Sequence, residues 1–328
     1  MLSLATNGVL KARRAPGFYT EVIDGLKANQ KYLQSKYFYD ETGDRLFQQI
    51  MASPEYYPTR CEMEIMQERS GEIAQWFMAG TEPFDLVELG AGDATKSRHL
   101  LRALMQAEAD FTYYPIDISA NVIGWLEDQL PNDLPGLSMQ GLQGEYMERM
   151  EYLNNISDRR KVVLFMGANI GNMTQQQAVL FCRQLHDAMR PGDMLMIGFD
   201  LKKHPGMILA AYNDAQGITR DFNLNLLNRI NRELGADFDL SKFEHHPVYD
   251  PGTGACKSYL VSMADQDVHF ASGETIHFRE HEPVFMEISQ KYEMGETEYV
   301  ARQSGFQPET IFYDSKKWFA DILWRRKA

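Results

Sequence analysis

At 328 residues, with 44% hydrophobic and 24% charged side chains, the chain has the length of one large domain or of a domain carrying an insertion. Its 18 Phe, 16 Tyr and 4 Trp supply enough apolar area for a core and exclude disorder throughout. Against 33 Lys and Arg stand 46 Asp and Glu, a formal charge of −13 that repels phosphate backbones; the densest basic cluster is Arg325, Arg326 and Lys327, so no nucleic-acid partner is expected.

The opening segment, MLSLATNGVLKARRAPGF, puts its basic residues after a weak apolar stretch, the reverse of a signal peptide's order. Residues 1–60 read as largely helical and Tyr-rich. Phe84–Gly90 (FDLVELG) is a buried strand, followed by a helix over Thr95–Ala107 with Leu100, Leu101, Leu104 and Met105 on one stripe. Phe111–Ile118 is the second strand, and Ser119 caps a helix over Ala120–Leu130. A weaker strand over Leu137–Leu142 and a strong one over Lys161–Gly167 lead to a helix over Gln175–Met189 and a fifth strand, Met194–Phe199. This alternation is the pattern of a parallel α/β sheet.

It breaks after Leu201. Helices over Met207–Asn213 and Phe222–Leu234 precede runs at His245–Tyr249, Lys257–Met263, Val268–Phe270 and Thr275–Glu280 that alternate like antiparallel strands, the signature of an α+β insertion. A helix over Glu296–Ser304 then resumes the α/β pattern, and Gln307–Asp314 with Trp318–Arg325 forms a hairpin closing the sheet. Cys61, Cys182 and Cys256 are too few and too scattered for a disulfide framework or a zinc site, and His245-His246 lacks metal-ligand spacing. No apolar run approaches the roughly 18–20 residues of a membrane span. The expectation is a reduced, cytoplasmic protein with no metal and no membrane partner.

The segment Val87-Glu88-Leu89-Gly90-Ala91-Gly92-Asp93 carries the chemistry. Two glycines directly after a buried strand permit a tight turn and close approach of a ligand to backbone. The third glycine of a dinucleotide fingerprint is replaced by Thr95, and no P-loop motif is present. Asp117, ending the second strand, is placed to accept hydrogen bonds from ribose hydroxyls. Glu88 and Asp93 beside the loop would repel a pyrophosphate and tolerate a sulfonium. These features favour S-adenosylmethionine over a dinucleotide, while a glycine turn in an unrelated α/β protein stays open on this evidence.

The segments KYFYDETGDRLFQQIMASPEYYPTRCE, LVELGAGDATKSRHLL, YYPIDIS, LFMGANIGNM, GDMLMIGFDLKK, NRELGADFDLSKFEHH and MEISQKY, in this order, resemble the histidine-specific, S-adenosylmethionine-dependent Nα-methyltransferases of ergothioneine biosynthesis. The resemblance covers residues 18–328. It implies an α/β fold with a Rossmann-like methyltransferase sheet (61–201 and 288–328) and a second α+β, substrate-binding domain formed by the N-terminus and the insertion (1–60 and 202–287). The implied activity is trimethylation of the α-amine of L-histidine to its betaine, hercynine. The implied cofactor contacts are Tyr39, Gly90, Lys96, Asp117, Glu145 and Tyr146, the last two standing where the family usually has Asp and Phe. The implied substrate contacts are Phe47, Tyr56, Gly167, Asn172 and Tyr212, with Glu287 and Ser289 for the imidazole; Tyr39 and Asn172 are nearest the reaction.

The residues themselves support part of this. Asn172 offers both donor and acceptor atoms to an amino acid's two charged groups. In an extended segment Glu287 and Ser289, two apart, face the same side. Tyr39 and Tyr56 suit a methylated ammonium through cation–π contact. The α-ammonium must first lose a proton, to solvent or through a water held near Tyr39. Ser258 stands where the family usually has a ring-packing Met, which would enlarge the ring pocket. The alternatives are methylation of another aromatic amino acid such as tryptophan or a derivative, and a non-catalytic S-adenosylmethionine-binding protein of the same fold.

Overall fold

The computed structural model describes residues 17–80 and 82–327. The opening segment, whose residue order argues against a signal peptide, lies largely outside them. In chain order the elements are α1 (Phe18–Lys27), α2 (Glu41–Ala52), α3 (Tyr57–Phe77), β1 (Phe84–Leu89), α4 (Ser97–Gln106), β2 (Phe111–Asp117), α5 (Ala120–Asp133), β3 (Leu142–Gln143), α6 (Tyr146–Ile156), β4 (Arg160–Phe165), α7 (Gln175–Ala188) and β5 (Met194–Asp200). There follow α8 (Pro205–Ala211), α9 (Ile218–Leu234), β6 (Phe243–Asp250), β7 (Ala255–Ser262), β8 (Gln266–His269), β9 (Thr275–Phe278), β10 (Pro283–Gln290), α10 (Met294–Gln303), β11 (Phe306–Tyr313) and β12 (Phe319–Arg326).

The chain divides into two compact units. One holds the described part of Met1–Ser53 with Tyr212–Val248 and Lys257–Glu287; the other holds Pro54–Ala211, Tyr249–Cys256 and the described part of Ile288–Ala328. Residues 202–211 stay with the second unit. There the Lys202 N–H donates to the Tyr292 carbonyl at 2.9 Å, and the Lys203 ammonium folds back onto Asp200.

The second unit is built on a seven-stranded sheet in the order β11-β12-β5-β4-β1-β2-β3. β3, β2, β1, β4 and β5 run parallel, and β12 enters antiparallel between β5 and β11. Every residue of β1 and β5 is buried, as expected of strands covered on both faces. One face packs Val87, Val163, Phe165, Leu195 and Ile197 against Ala178, Cys182 and Leu185 of α7 and Met150 and Leu153 of α6. Each fully buried Val, Leu or Phe contributes about 1.5–3 kcal/mol. The neighbours β1 and β4 mark the point where strand order reverses, and in open α/β sheets ligands bind at the carboxyl ends of the strands there.

Ser119 caps α5 as its sequence indicates, accepting from Val122 N–H at 3.3 Å, and α7 opens with a capping box between Thr174 and Gln177. Two readings change. The strand expected over Leu137–Leu142 is reduced to Leu142–Gln143 and a lone bridge between Met139 and Tyr113; Gly141 between them lies so close to α5 that a Cβ there would stand 2.5 Å from Ile123. Helix α5 runs on through Pro131 to Asp133 rather than stopping at Leu130. Among the described residues, no helix is long and apolar enough to cross a membrane.

The first unit carries α1, α2, α9, the β8–β9 hairpin and most of a sheet ordered β10-β7-β6. Phe238 packs its ring against Phe243, Phe270 and Phe278 at centroid distances of 5.7, 6.1 and 5.8 Å, forming the unit's core with Leu260 and Met286.

Candidate active site

In the second unit the chain leaves β1 through Gly90 at φ 74°, with its N–H bonded to the Ile116 carbonyl of β2 at 2.8 Å. A Cβ at Gly90 would lie 2.7 Å from the Tyr146 hydroxyl and 3.2 Å from Asn169 Nδ2, so only glycine leaves this turn open. Asp117 ends β2 beside it. Its Oδ1 accepts from the Ser119 N–H at 2.9 Å and its Oδ2 from the Gly92 N–H at only 3.4 Å. Burial holds its carboxyl above the usual range, against the pull of those N–H groups. Ile118, the next residue, leaves an apolar side chain about half exposed (49%) at the strand end. Tyr146 packs its ring on Phe165 and Phe181 and holds its hydroxyl over the loop, while Glu145 is the exposed N-cap residue of α6.

Glu88, expected beside the ligand, is not there. It is buried beneath the loop, with one oxygen taken by Ser97 Oγ at 2.7 Å and the other by the Tyr113 hydroxyl at 2.5 Å. Burial pushes its carboxyl up to about 7 despite both bonds. Strand alternation explains the correction: Glu88 points into the packed layer between sheet and helix, and the charge at the loop is left to Asp93 and Asp117.

The residue that sequence reasoning missed is Glu62 of α3. Its wholly buried carboxylate accepts from the Lys96 ammonium and, at 2.7 Å, from the Gly167 N–H. Gly198 of β5 makes room for it, since a Cβ there would stand 2.5 Å from Glu62 Oε1. Burial would lower the Lys96 ammonium; the Glu62 carboxylate more than reverses that and holds it above its ordinary value. With its N–H given to Glu62, Gly167 has no backbone donor left for a ligand. Asp321, opposite Gly198 on β12, is wholly buried with neither oxygen hydrogen-bonded; burial and the nearby Glu62 keep it protonated far above the usual range. No spacing rule links Glu62 to partners 34 and 105 residues away.

Asn172 ends the short 3-10 turn after β4 and is exposed; the turn's Gly171 lies against Ser289 and Gln290 of β10. Tyr56 is the half-buried N-cap residue of α3. Ser289 accepts from the Lys291 ammonium at 2.8 Å, and Lys291 is clamped by Asp200 at 2.7 Å.

In the first unit Tyr39 stands 37% exposed, edge-on to Phe47 at 5.6 Å and Phe222 at 5.8 Å. Asp40 follows it in the chain. That carboxylate caps α2 through Gly43 N–H at 2.8 Å and receives Asn225 at 2.9 Å and Arg232 at 2.5 Å from α9. Burial opposes ionisation, but these donors outweigh it and hold the carboxyl below its usual range. Tyr212 is buried where α8 gives way to the loop before α9, and Glu287 is half-buried on β10. Ser258 does not simply vacate space: it is buried with its hydroxyl 3.5 Å from Nε2 of His245.

The residues present fit S-adenosylmethionine: an open glycine turn, a carboxylate with acceptor capacity to spare, an exposed apolar side chain beside it and a lysine at the strand ends. A parallel sheet reversed between β1 and β4, closed by an antiparallel strand and bearing this loop, is that of an S-adenosylmethionine-dependent methyltransferase. The chain belongs to the family described as histidine-specific, SAM-dependent methyltransferases, whose model matches residues 18–326. It is 38% identical over 282 residues to the histidine N-alpha-methyltransferase of Mycolicibacterium smegmatis, covering 83% of this chain and 86% of that one. To the protein of the same name from Mycobacterium tuberculosis it is 36% identical over 273 residues, covering 83% of each. To the ergothioneine biosynthesis protein 1 of Neurospora crassa it is 30% identical over 287 residues, 86% of this chain but 32% of that longer protein.

Proposed function

We propose that this enzyme trimethylates the α-amine of L-histidine to hercynine. The observation that carries the reading is the match to the histidine-specific family across residues 18–326. When bound, S-adenosylmethionine supplies a methyl group already activated on sulfonium. Asp117 accepts from the ribose hydroxyls, Ile118 packs the adenine, Glu145 and Tyr146 border it, and Gly90 and Lys96 receive the methionine end. The amino-acid contacts are assigned to Asn172, Tyr56 and Gly167 in the sheet-bearing unit and to Phe47 and Tyr212 in the other. Tyr39 is assigned to the amine, whose proton leaves to solvent or a tyrosine-held water, and successive methylammonium products would gain about 0.5–2 kcal/mol from an aromatic ring. The protein's task is to align the amine lone pair with the methyl within about 3–3.5 Å and to exclude water.

Glu287 and Ser289 read the imidazole in this scheme. Methyl transfer is assigned to the sheet-bearing unit, and amino-acid recognition draws on the other. A reduced, cytoplasmic setting belongs to the same reading; Cys61, Cys182 and Cys256 are buried and none forms a disulfide. The test is incubation with labelled S-adenosylmethionine and each of the twenty amino acids in turn. Histidine should take up label and end as a trimethylated product by mass. Preferential labelling of tryptophan, or histidine stopping at one methyl, would overturn the assignment.

A further inference from the structure

The turn after β4, all of it within the sheet-bearing unit, carries a polar side chain with no task in the fold. Ala168 stands at φ 56°, a left-handed conformation uncommon for a residue with a Cβ, and Asn169 follows it to open the 3-10 turn. Asn169 is half-buried, and its backbone N–H turns back to the Met166 carbonyl at 3.4 Å. Its side-chain amide has no hydrogen-bond partner among the described residues. That amide lies between the ends of β1 and β4. A Cβ on Gly90 would meet Asn169 Nδ2 at 3.2 Å, and a Cβ on Gly167 would meet the same atom at 3.6 Å. The latter position is also 3.5 Å from the Lys96 ammonium. Two glycines thus keep the space around one amide and one lysine open, at the point where strand order reverses.

We propose that Asn169 is a cofactor-binding residue: its amide N–H groups and the Lys96 ammonium together receive the α-carboxylate at the methionine end of S-adenosylmethionine. An ammonium has three N–H groups, and Glu62 takes one from Lys96, leaving donors on a side chain that is 22% exposed. The wholly buried Glu62 carboxylate also balances much of the lysine's charge. An anion arriving here therefore gains less than it would from an unpaired lysine, and a second, neutral donor makes up part of the difference. Asn169 supplies that donor. With the adenosine directed to Asp117, the groups left at the methionine end are a sulfonium, an α-ammonium and a carboxylate. The first two are cations, so the carboxylate is the one that takes an N–H, and Nδ2 is the atom of Asn169 nearest both glycines. This deepens the proposed function and rests on its placing of the methionine end at Gly90 and Lys96.

The test is titration calorimetry on the full chain with two ligands, S-adenosylhomocysteine and its decarboxylated analogue 5′-(3-aminopropylthio)-5′-deoxyadenosine, which differ only in the carboxylate. Asn169→Ala should weaken the first about tenfold or more and change the second by less than about twofold. Asn169→Asp keeps the side chain's shape and sets a negative charge against the carboxylate. It should weaken S-adenosylhomocysteine further than Asn169→Ala does, and bind the analogue as well as wild type or better. Lys96→Met should show the same selectivity as Asn169→Ala. Equal losses of both ligands in the two Asn169 variants would overturn the proposal, because a distorted turn does not distinguish them. Unchanged S-adenosylhomocysteine affinity in those variants, with selective loss in Lys96→Met, would overturn it too while sparing the placement of the methionine end. If Lys96→Met as well binds S-adenosylhomocysteine like wild type, that placement itself fails.

Discussion

Asp117 keeps acceptor capacity beyond its backbone donors. The Ser119 and Gly92 N–H groups stand at 2.9 and 3.4 Å, the Ile118 N–H also bears on it, and burial disfavours its ionised form. Ribose hydroxyls would complete it, so Asp117→Ala should weaken S-adenosylmethionine binding by roughly 1.5–3 kcal/mol, the scale of hydrogen bonds to a charged group. Isothermal calorimetry measures this directly, and an unchanged affinity would take Asp117 out of the ribose role. Asp117 and the Gly90 turn were legible in the sequence because they are local: a strand end, a tight turn, a carboxylate. Glu62 was not. Its meaning comes from α3, α4 and the end of β4 meeting, and a lone Glu in a helix carries no sign of burial. Glu88 shows the reverse failure, a residue in the right motif pointing to the wrong side of the strand.

At the level of elements, β1, β2, β4 and β5 announced themselves as continuous apolar runs, while α6 was invisible, its pattern diluted by Glu148, Arg149, Glu151 and two Asn. Strand β6 presents His245 to the buried side, and burial drives that imidazole down to about 4 from an ordinary 6.5. Between those values the unfolded chain binds more protons. This contribution is therefore complete above pH 6.5 and is lost as pH falls through about 4. Glu88, raised to about 7 from 4.5, works in the opposite direction, favouring the folded state at low pH and less so as pH rises through 7. His245→Gln, which keeps a polar neighbour for Ser258, should remove the first effect alone. Its stability relative to wild type should rise by roughly 2–3 kcal/mol as pH is lowered from 6.5 to 4. Urea unfolding across that range checks it, and parallel curves for the two proteins would show that His245 titrates normally in the fold.

Over the whole molecule, the sequence made plain a parallel sheet with an α+β insertion, yet the division into units follows contacts that pattern cannot show: the first unit is assembled from three separate stretches. The closing hairpin was readable from Gln307 to Arg325, and the structure adds that its second strand is internal to the sheet. β12 lies between β5 and β11, with Phe319, Ala320, Ile322, Leu323 and Trp324 buried. A chain ended after Lys317 should therefore lose its cooperative thermal transition and precipitate, whereas removing only Lys327 and Ala328 should leave Tm unchanged; a soluble, cooperatively melting product of the larger deletion would contradict this. The same placement bears on synthesis. The ribosome delivers β1 to β5 more than a hundred residues before the strand that covers β5's outer edge. Throughout that interval the nascent chain carries an open, mostly apolar strand edge, the feature most prone to pair with a neighbouring polypeptide. Yield in cells should thus depend on how quickly the codons for the closing hairpin are read and on chaperone protection of that edge until Arg326 emerges.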